Sequence, residues 1–156
     1  MRNLCLLLIC FSLTACVAGT GTSSKYRAPI PAGVVLSFPQ LRAELAKIPG
    51  IQVAVGEPLV ASFPAGVLFA QGSVLPMPGG TEPLDALSTL VKRSGKSWAI
   101  KLRADSDEGQ LYDAQLVSKR VKLIKTYFKS SGVNLRKLSI TAVAEAGASL
   151  ELRPIQ

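Results

Sequence analysis

Apolar positions recur along this chain with three different spacings, and each spacing predicts a different element. Residues 4–13 form a nearly unbroken apolar run, interrupted only by Ser12. It is too short for a bilayer span, which needs about 20 apolar residues. Residues 17–33 (VAGTGTSSKYRAPIPAG) are small and polar, carry Pro29 and Pro31, and show no periodicity, so they read as a tether. From residue 38 onward the pattern becomes regular. Residues 38–47 (FPQLRAELAK) predict a short helix closed by Pro49-Gly50. Residues 52–55 and 59–63 predict two short strands on either side of Gly56-Glu57-Pro58, forming a hairpin. Leu84, Leu87, Leu90 and Val91 share one face of a helix from Thr81, its expected cap, to Ser94, with Gly95 as the stop. Residues 98–104 alternate strictly, with Trp98, Ile100, Leu102 and Ala104 on one side and Ala99, Lys101 and Arg103 on the other. A long helix is expected over 112–131, ending at Gly132, then a strand over 138–144 (LSITAVA) and a last short strand over 150–152. Strand, helix, strand, helix, strand predicts an α/β sandwich, an α+β arrangement in which helices cover one face of a mixed sheet. No internal repeat breaks this series.

The long helix contains one residue at odds with its face. At about 100° per residue, Leu116, Val117, Val121, Leu123, Ile124, Tyr127 and Phe128 form one apolar arc. Lys119, Lys122, Lys125 and Lys129 fall on the opposite, solvated side. Arg120 lies inside the apolar arc. A guanidinium near a core needs a carboxylate or several acceptors, since an unpaired buried charge costs several kcal/mol. Asp105, Asp107 and Glu108, in the loop leaving the preceding strand, are the nearest candidates in sequence. Arg120 therefore either snorkels at the helix start, closes an internal salt bridge or serves a ligand.

The first residues carry a different kind of information. Met1-Arg2-Asn3 is a short, positively charged start, and the apolar run after it has the length of a signal-peptide core. It ends in Leu13-Thr14-Ala15-Cys16, which resembles the lipobox of bacterial lipoproteins. The resemblance implies a signal peptide over 1–15, cleavage before Cys16, lipidation of that cysteine and a tether over 16–33. The sorting rule that goes with it, with Val17 rather than aspartate after the cysteine, implies the outer membrane, with the protein facing the periplasm. More than one lipid chain is needed for stable anchoring, which lipoprotein processing supplies. Cys5 and Cys10 would leave with the signal, so the mature chain would have no thiol for a disulfide, and no CxxC pair offers a zinc site.

Histidine is absent from the whole sequence. The usual general base and commonest metal ligand are therefore missing, and neither an enzyme, a metal site nor a cofactor is expected. The net charge of +8 is concentrated in residues 92–137. In a cytoplasmic protein that would point to nucleic acid; for an exported one it points to the envelope or to solvated helix faces.

The segment from Gly66 to about Ala144 resembles the OmpA-like peptidoglycan-binding domain. Its opening, Val67-Leu68-Phe69-Ala70-Gln71-Gly72-Ser73-Val74-Leu75 followed by Leu84-Asp85-Ala86-Leu87, follows the family's phenylalanine, glycine-serine and leucine spacing. Asp105 falls on the family's aspartate, Tyr112 on its tyrosine, Asp113 on its asparagine, Leu116 on its leucine and Arg120 on its arginine, without a gap. Gly132-Val133 matches the glycine and aliphatic residue after the helix. The resemblance implies a β-α-β-α-β mixed sheet over 65–156, preceded by a short helix-hairpin extension over 34–64. It also implies that Asp105 and Arg120 grip the diaminopimelate of the peptide stem, with Tyr112 and Asp113 beside them. Leu102, Arg103 and Ala104 replace the family's glycine, aromatic or histidine, and threonine; Val117 and Val121 replace its serine and alanine. Arg103 is thereby an expected competitor for Asp105.

Two functions are consistent with these residues. One is non-covalent binding of peptidoglycan by a lipid-anchored outer-membrane protein. The other is a structural subunit of an envelope-spanning secretion or pilus machine that keeps the fold without the ligand, making contacts with other envelope proteins through the 38–63 segment.

Overall fold

The computed structural model describes residues 35–155. The expected signal peptide, Cys16 and the tether lie outside the described residues.

Helix α1 (Phe38–Leu45) has Pro39 in its first turn, and Ser37 and Gln40 form a capping box. This satisfies amide groups that the first turn leaves unpaired. The chain then forms strands β1 (Gln52–Val53) and β2 (Ala61–Phe63), which pair antiparallel as the predicted hairpin. Helix α2 (Thr81–Ser94) begins one residue earlier than a Thr81 cap requires: Gly80 holds the cap position and Thr81 is the first helical residue. Gly95, at φ 68°, ends α2 in a left-handed conformation that a side chain would strain. Strand β3 (Ser97–Ala104) alternates in burial along its whole length. Helix α3 (Gln110–Ser130) begins two residues earlier than the apolar spacing suggests. Strand β4 (Leu138–Ala144) follows a single 3-10 turn over Leu135–Lys137.

The last strand departs most from expectation. β5 (Leu150–Ile155) is six residues long and lies in the middle of the sheet, whose order is β1-β2-β5-β3-β4. It runs antiparallel to both β2 and β3, while β3 and β4 are parallel. Charged Glu151 and Arg153 interrupt its apolar pattern, which shortens the reading from sequence. Their side chains occupy the open face, while Leu150 and Leu152 on the other face are at most 1% exposed. The β1–β2 hairpin shares this sheet, so residues 52–63 and the later strands form one continuous surface.

Both long helices cover the same face. Leu84, Leu87, Leu90 and Val91 of α2 and Leu116, Val117, Ile124 and Phe128 of α3 join Trp98, Ile100 and Leu102 of β3 in one core. Fully burying such a side chain stabilises the fold by about 1.5–3 kcal/mol. Trp98 is fully buried, and its indole N–H donates to Ser94 Oγ at 3.0 Å, so the one polar atom of the ring is satisfied. This α+β sandwich with a mixed sheet is the expected fold class.

Candidate functional site

Arg120 is buried, at 4% exposure, as its place in the apolar arc requires. Its partners are not the expected carboxylates. Nε donates to Ser73 O at 2.8 Å, Nη1 to Arg103 O at 3.1 Å and Nη2 to Ala70 O at 3.0 Å. The guanidinium also stands over the Phe69 ring, 4.6 Å from its centroid, a favourable cation–π placement. Asp105, Asp107 and Glu108 form no ion pair with it. The reason is topological: Ala70 and Ser73 of the 69–73 segment and Arg103 near the end of β3 all bring their carbonyls to Arg120, and a rigid fork of N–H donors fits such a set. Burial holds the Arg120 pKa below its ordinary value, and the field of Asp113 opposes that shift. Of its five N–H donors, three are used in these bonds and two remain.

The start of α3 holds the remaining loops. Gly109 precedes the helix at φ 95°, a backbone angle that lets the chain turn sharply into it. Asp113, in the first turn where the helix dipole favours an anion, is buried and accepts from Ser106 Oγ at 2.6 Å. Ser106 Oγ accepts in turn from the Glu108 amide at 3.3 Å, which pins the loop carrying Asp105. The Tyr112 hydroxyl donates to Gly72 O at 3.1 Å, a second tie on the 70–73 turn.

Asp105 and Arg120 line one cleft of about 650 Å³, together with Phe69, Gln71, Arg103 and Glu145. Tyr112 and Asp113 are not part of its lining; they position the loops around it. Asp105 is exposed and has no hydrogen bond or ion pair with another described residue. The expected competition from Arg103 does not occur. Arg103 Nε pairs with Glu145 at 2.8 Å and Nη1 with Glu151 at 3.0 Å. The hydrogen bond with Glu145, more than the one with Glu151, raises its pKa against burial. A cleft with an unpaired carboxylate and a partly engaged guanidinium suits a ligand bearing both an ammonium and a carboxylate.

Sequence reasoning missed Glu145, Glu151 and the carbonyls of Ala70, Ser73 and Arg103. Glu151 reaches Arg103 only because β5 is inserted beside β3, and carbonyl groups leave no mark in a sequence. Among the described residues, no group of three His, Cys, Asp or Glu side chains could hold a metal, and no helix is long and apolar enough to cross a membrane.

Comparison with solved structures places this geometry in a known fold. A protein from Desulfovibrio vulgaris described as MotB-like superposes with a TM-score of 0.63 at 20% identity, over 76% of this chain and 91% of that one. The cell wall anchor of the type VI secretion system (T6SS) from Pseudomonas aeruginosa gives 0.59 at 10% identity, over 79% of this chain and 100% of that one. The OmpA-like domain of FopA1 from Francisella tularensis gives 0.51 at 13% identity, over 68% and 81%. The chain has the OmpA-like fold. No family model and no curated protein matches the sequence. Within the OmpA-like fold of this chain, the cleft lies at the end of β3, with Arg103 in that strand, Asp105 directly after it, Glu145 directly after β4 and Arg120 reaching in from the middle of α3.

Proposed function

We propose that this protein is an outer-membrane lipoprotein that binds peptidoglycan non-covalently and so ties the membrane, or a complex held there, to the cell wall. The observation that carries this reading is the cleft lined by both Arg120 and an unpaired Asp105. Asp105 accepts from the ammonium group of a diaminopimelate residue, and the two remaining N–H groups of Arg120 donate to a carboxylate of the same residue. The fold supports the reading, since it is shared with a protein described as a cell wall anchor. The lipobox-like Leu13-Thr14-Ala15-Cys16 supplies the lipid anchor, and the protein faces the periplasm. The role is binding rather than catalysis, consistent with a sequence without histidine.

Cosedimentation with purified sacculi tests this. Wild-type protein is expected in the pellet and to be displaced by free diaminopimelate. Asp105→Asn removes the charge at an exposed position and is expected to weaken binding at least ten-fold, about 1.4 kcal/mol, with folding unchanged. One observation favours a second reading: Arg120 already satisfies three carbonyls, which is reason enough for its presence without a ligand. If wild-type protein stays in the supernatant, the chain is a structural subunit of an envelope complex and its cleft is unused.

A further inference from the structure

Strand β4 is an edge of the sheet. It pairs with β3 on one side, and on the other its backbone meets no described residue within residues 139–144. Exposed edges are a template for another strand, and proteins blunt them with charges, prolines, bulges or short length. β4 has none of these defences. Its seven residues, LSITAVA, include no charge, proline or glycine, and their register with β3 is unbroken from Trp98↔Leu138 to Ala104↔Ala144.

The surroundings of that edge are strongly basic. Residues 114–144 contain no aspartate or glutamate, yet they include Lys119, Lys122, Lys125, Lys129, Arg136 and Lys137. All six are exposed, and none is paired with a carboxylate among the described residues. Helix α3 lies over β4. Its Tyr127 turns toward α2, donating its hydroxyl to Asp85, with Thr81 O at 3.3 Å as a longer second contact. At about 100° per residue, Ser118, Val121 and Lys125 fall on the flank away from Tyr127 and α2, and Lys122 and Lys129 lie on the exposed crest of the helix. Arg136 and Lys137 sit at the start of the strand.

We infer that the free edge of β4 takes up an acidic, extended segment of another protein as a sixth strand. Backbone hydrogen bonds supply the register, as in other cases of strand addition, and the cations select an acidic partner and speed its encounter. Charge decides among the occupants. A second copy would bring the same unpaired cations to the interface. This chain's own first 34 residues contain no acidic residue and hold Arg2, Lys25 and Arg27, so they lack the complementary charge.

The probe is a fluorescent decapeptide alternating glutamate with valine. Its controls are the same peptide with lysine for glutamate, and the acidic peptide with its two central valines replaced by proline. With the full chain, the acidic peptide is expected to bind, to weaken as salt is added, and to protect the amides of residues 138–144 from hydrogen exchange. The lysine and proline peptides are expected not to bind. Charge reversal by Lys122→Glu, Lys125→Glu and Lys129→Glu together should weaken binding at least ten-fold, with Trp98 fluorescence showing an intact fold. Equal binding of the proline peptide would overturn the inference in favour of anionic polymer on a basic surface. Protection of the same amides in the absence of peptide, accompanied by dimers in analytical ultracentrifugation, would overturn it in favour of a second copy.

Discussion

Replacing Arg120 tests how the cleft is held together. Its guanidinium donates to three carbonyls, at 2.8, 3.0 and 3.1 Å, and covers the face of Phe69. Each hydrogen bond from a charged donor contributes about 1.5–3 kcal/mol, so the gross contribution is about 4.5–9 kcal/mol. Desolvating the guanidinium offsets part of this; burial already depresses its pKa. Removing one member of a buried charged arrangement costs about 3–5 kcal/mol, and the same range is expected for Arg120→Ala. Arg120→Lys keeps the charge but cannot present a planar fork, and should cost about 2 kcal/mol or more. Both are large against a total stability of roughly 5–15 kcal/mol. Urea unfolding followed by Trp98 fluorescence measures them, because Trp98 is the only tryptophan and is fully buried. The midpoint should fall with an unchanged slope. An Arg120→Ala protein within about 1 kcal/mol of wild type would refute the clamp. The arginine would then be retained for a ligand rather than for the 69–73 loop.

Other expectations are narrower. Ser94→Ala removes the acceptor of the Trp98 indole N–H and should cost about 1–3 kcal/mol; an unmoved urea midpoint would mean that the indole finds another acceptor. The Tyr127 phenol is pushed up to about 12, first by desolvation and then by its hydrogen bond to Asp85. A raised folded-state pKa means that this contribution to stability is complete below the ordinary tyrosine value of about 10 and is lost as pH rises toward about 12. In a phenolate absorbance titration, a step near pH 12 should be present in the wild type and disappear in Tyr127→Phe. For the N-terminus, Cys16→Ser should leave the precursor uncut and abolish lipid labelling; a mature N-terminus other than Cys16 would remove the basis for a lipid anchor.

The amino-acid sequence by itself determined the elements whose periodicity is local. The strict alternation of residues 98–104 requires a strand with Trp98, Ile100 and Leu102 on one face, and the structure buries that face. The 3.6-residue spacing of Leu84, Leu87, Leu90 and Val91 requires a helix, and Gly95 ends it. The apolar arc of α3 also isolated Arg120 as a cation directed into the core. The match of residues 105–120 to the OmpA-like motif marked Asp105 and Arg120, and both line one cleft. What that cation meets was decided only by tertiary structure. Asp105 and Glu108 are close to it in sequence, but α3 rises about 1.5 Å per residue and carries Arg120 under the 69–73 turn, where backbone carbonyls receive it. The same holds for β5. Charged Glu151 and Arg153 alternate with Leu150 and Leu152, a pattern too brief to locate a strand in a sheet. Its central position follows from non-local pairing with β2 and β3. That pairing also places Glu151 against Arg103, which occupies the arginine and leaves Asp105 unpaired in the cleft. Hydrophobic spacing is a property of neighbouring residues, whereas strand order and the partners of a buried charge depend on which distant segments the core brings together.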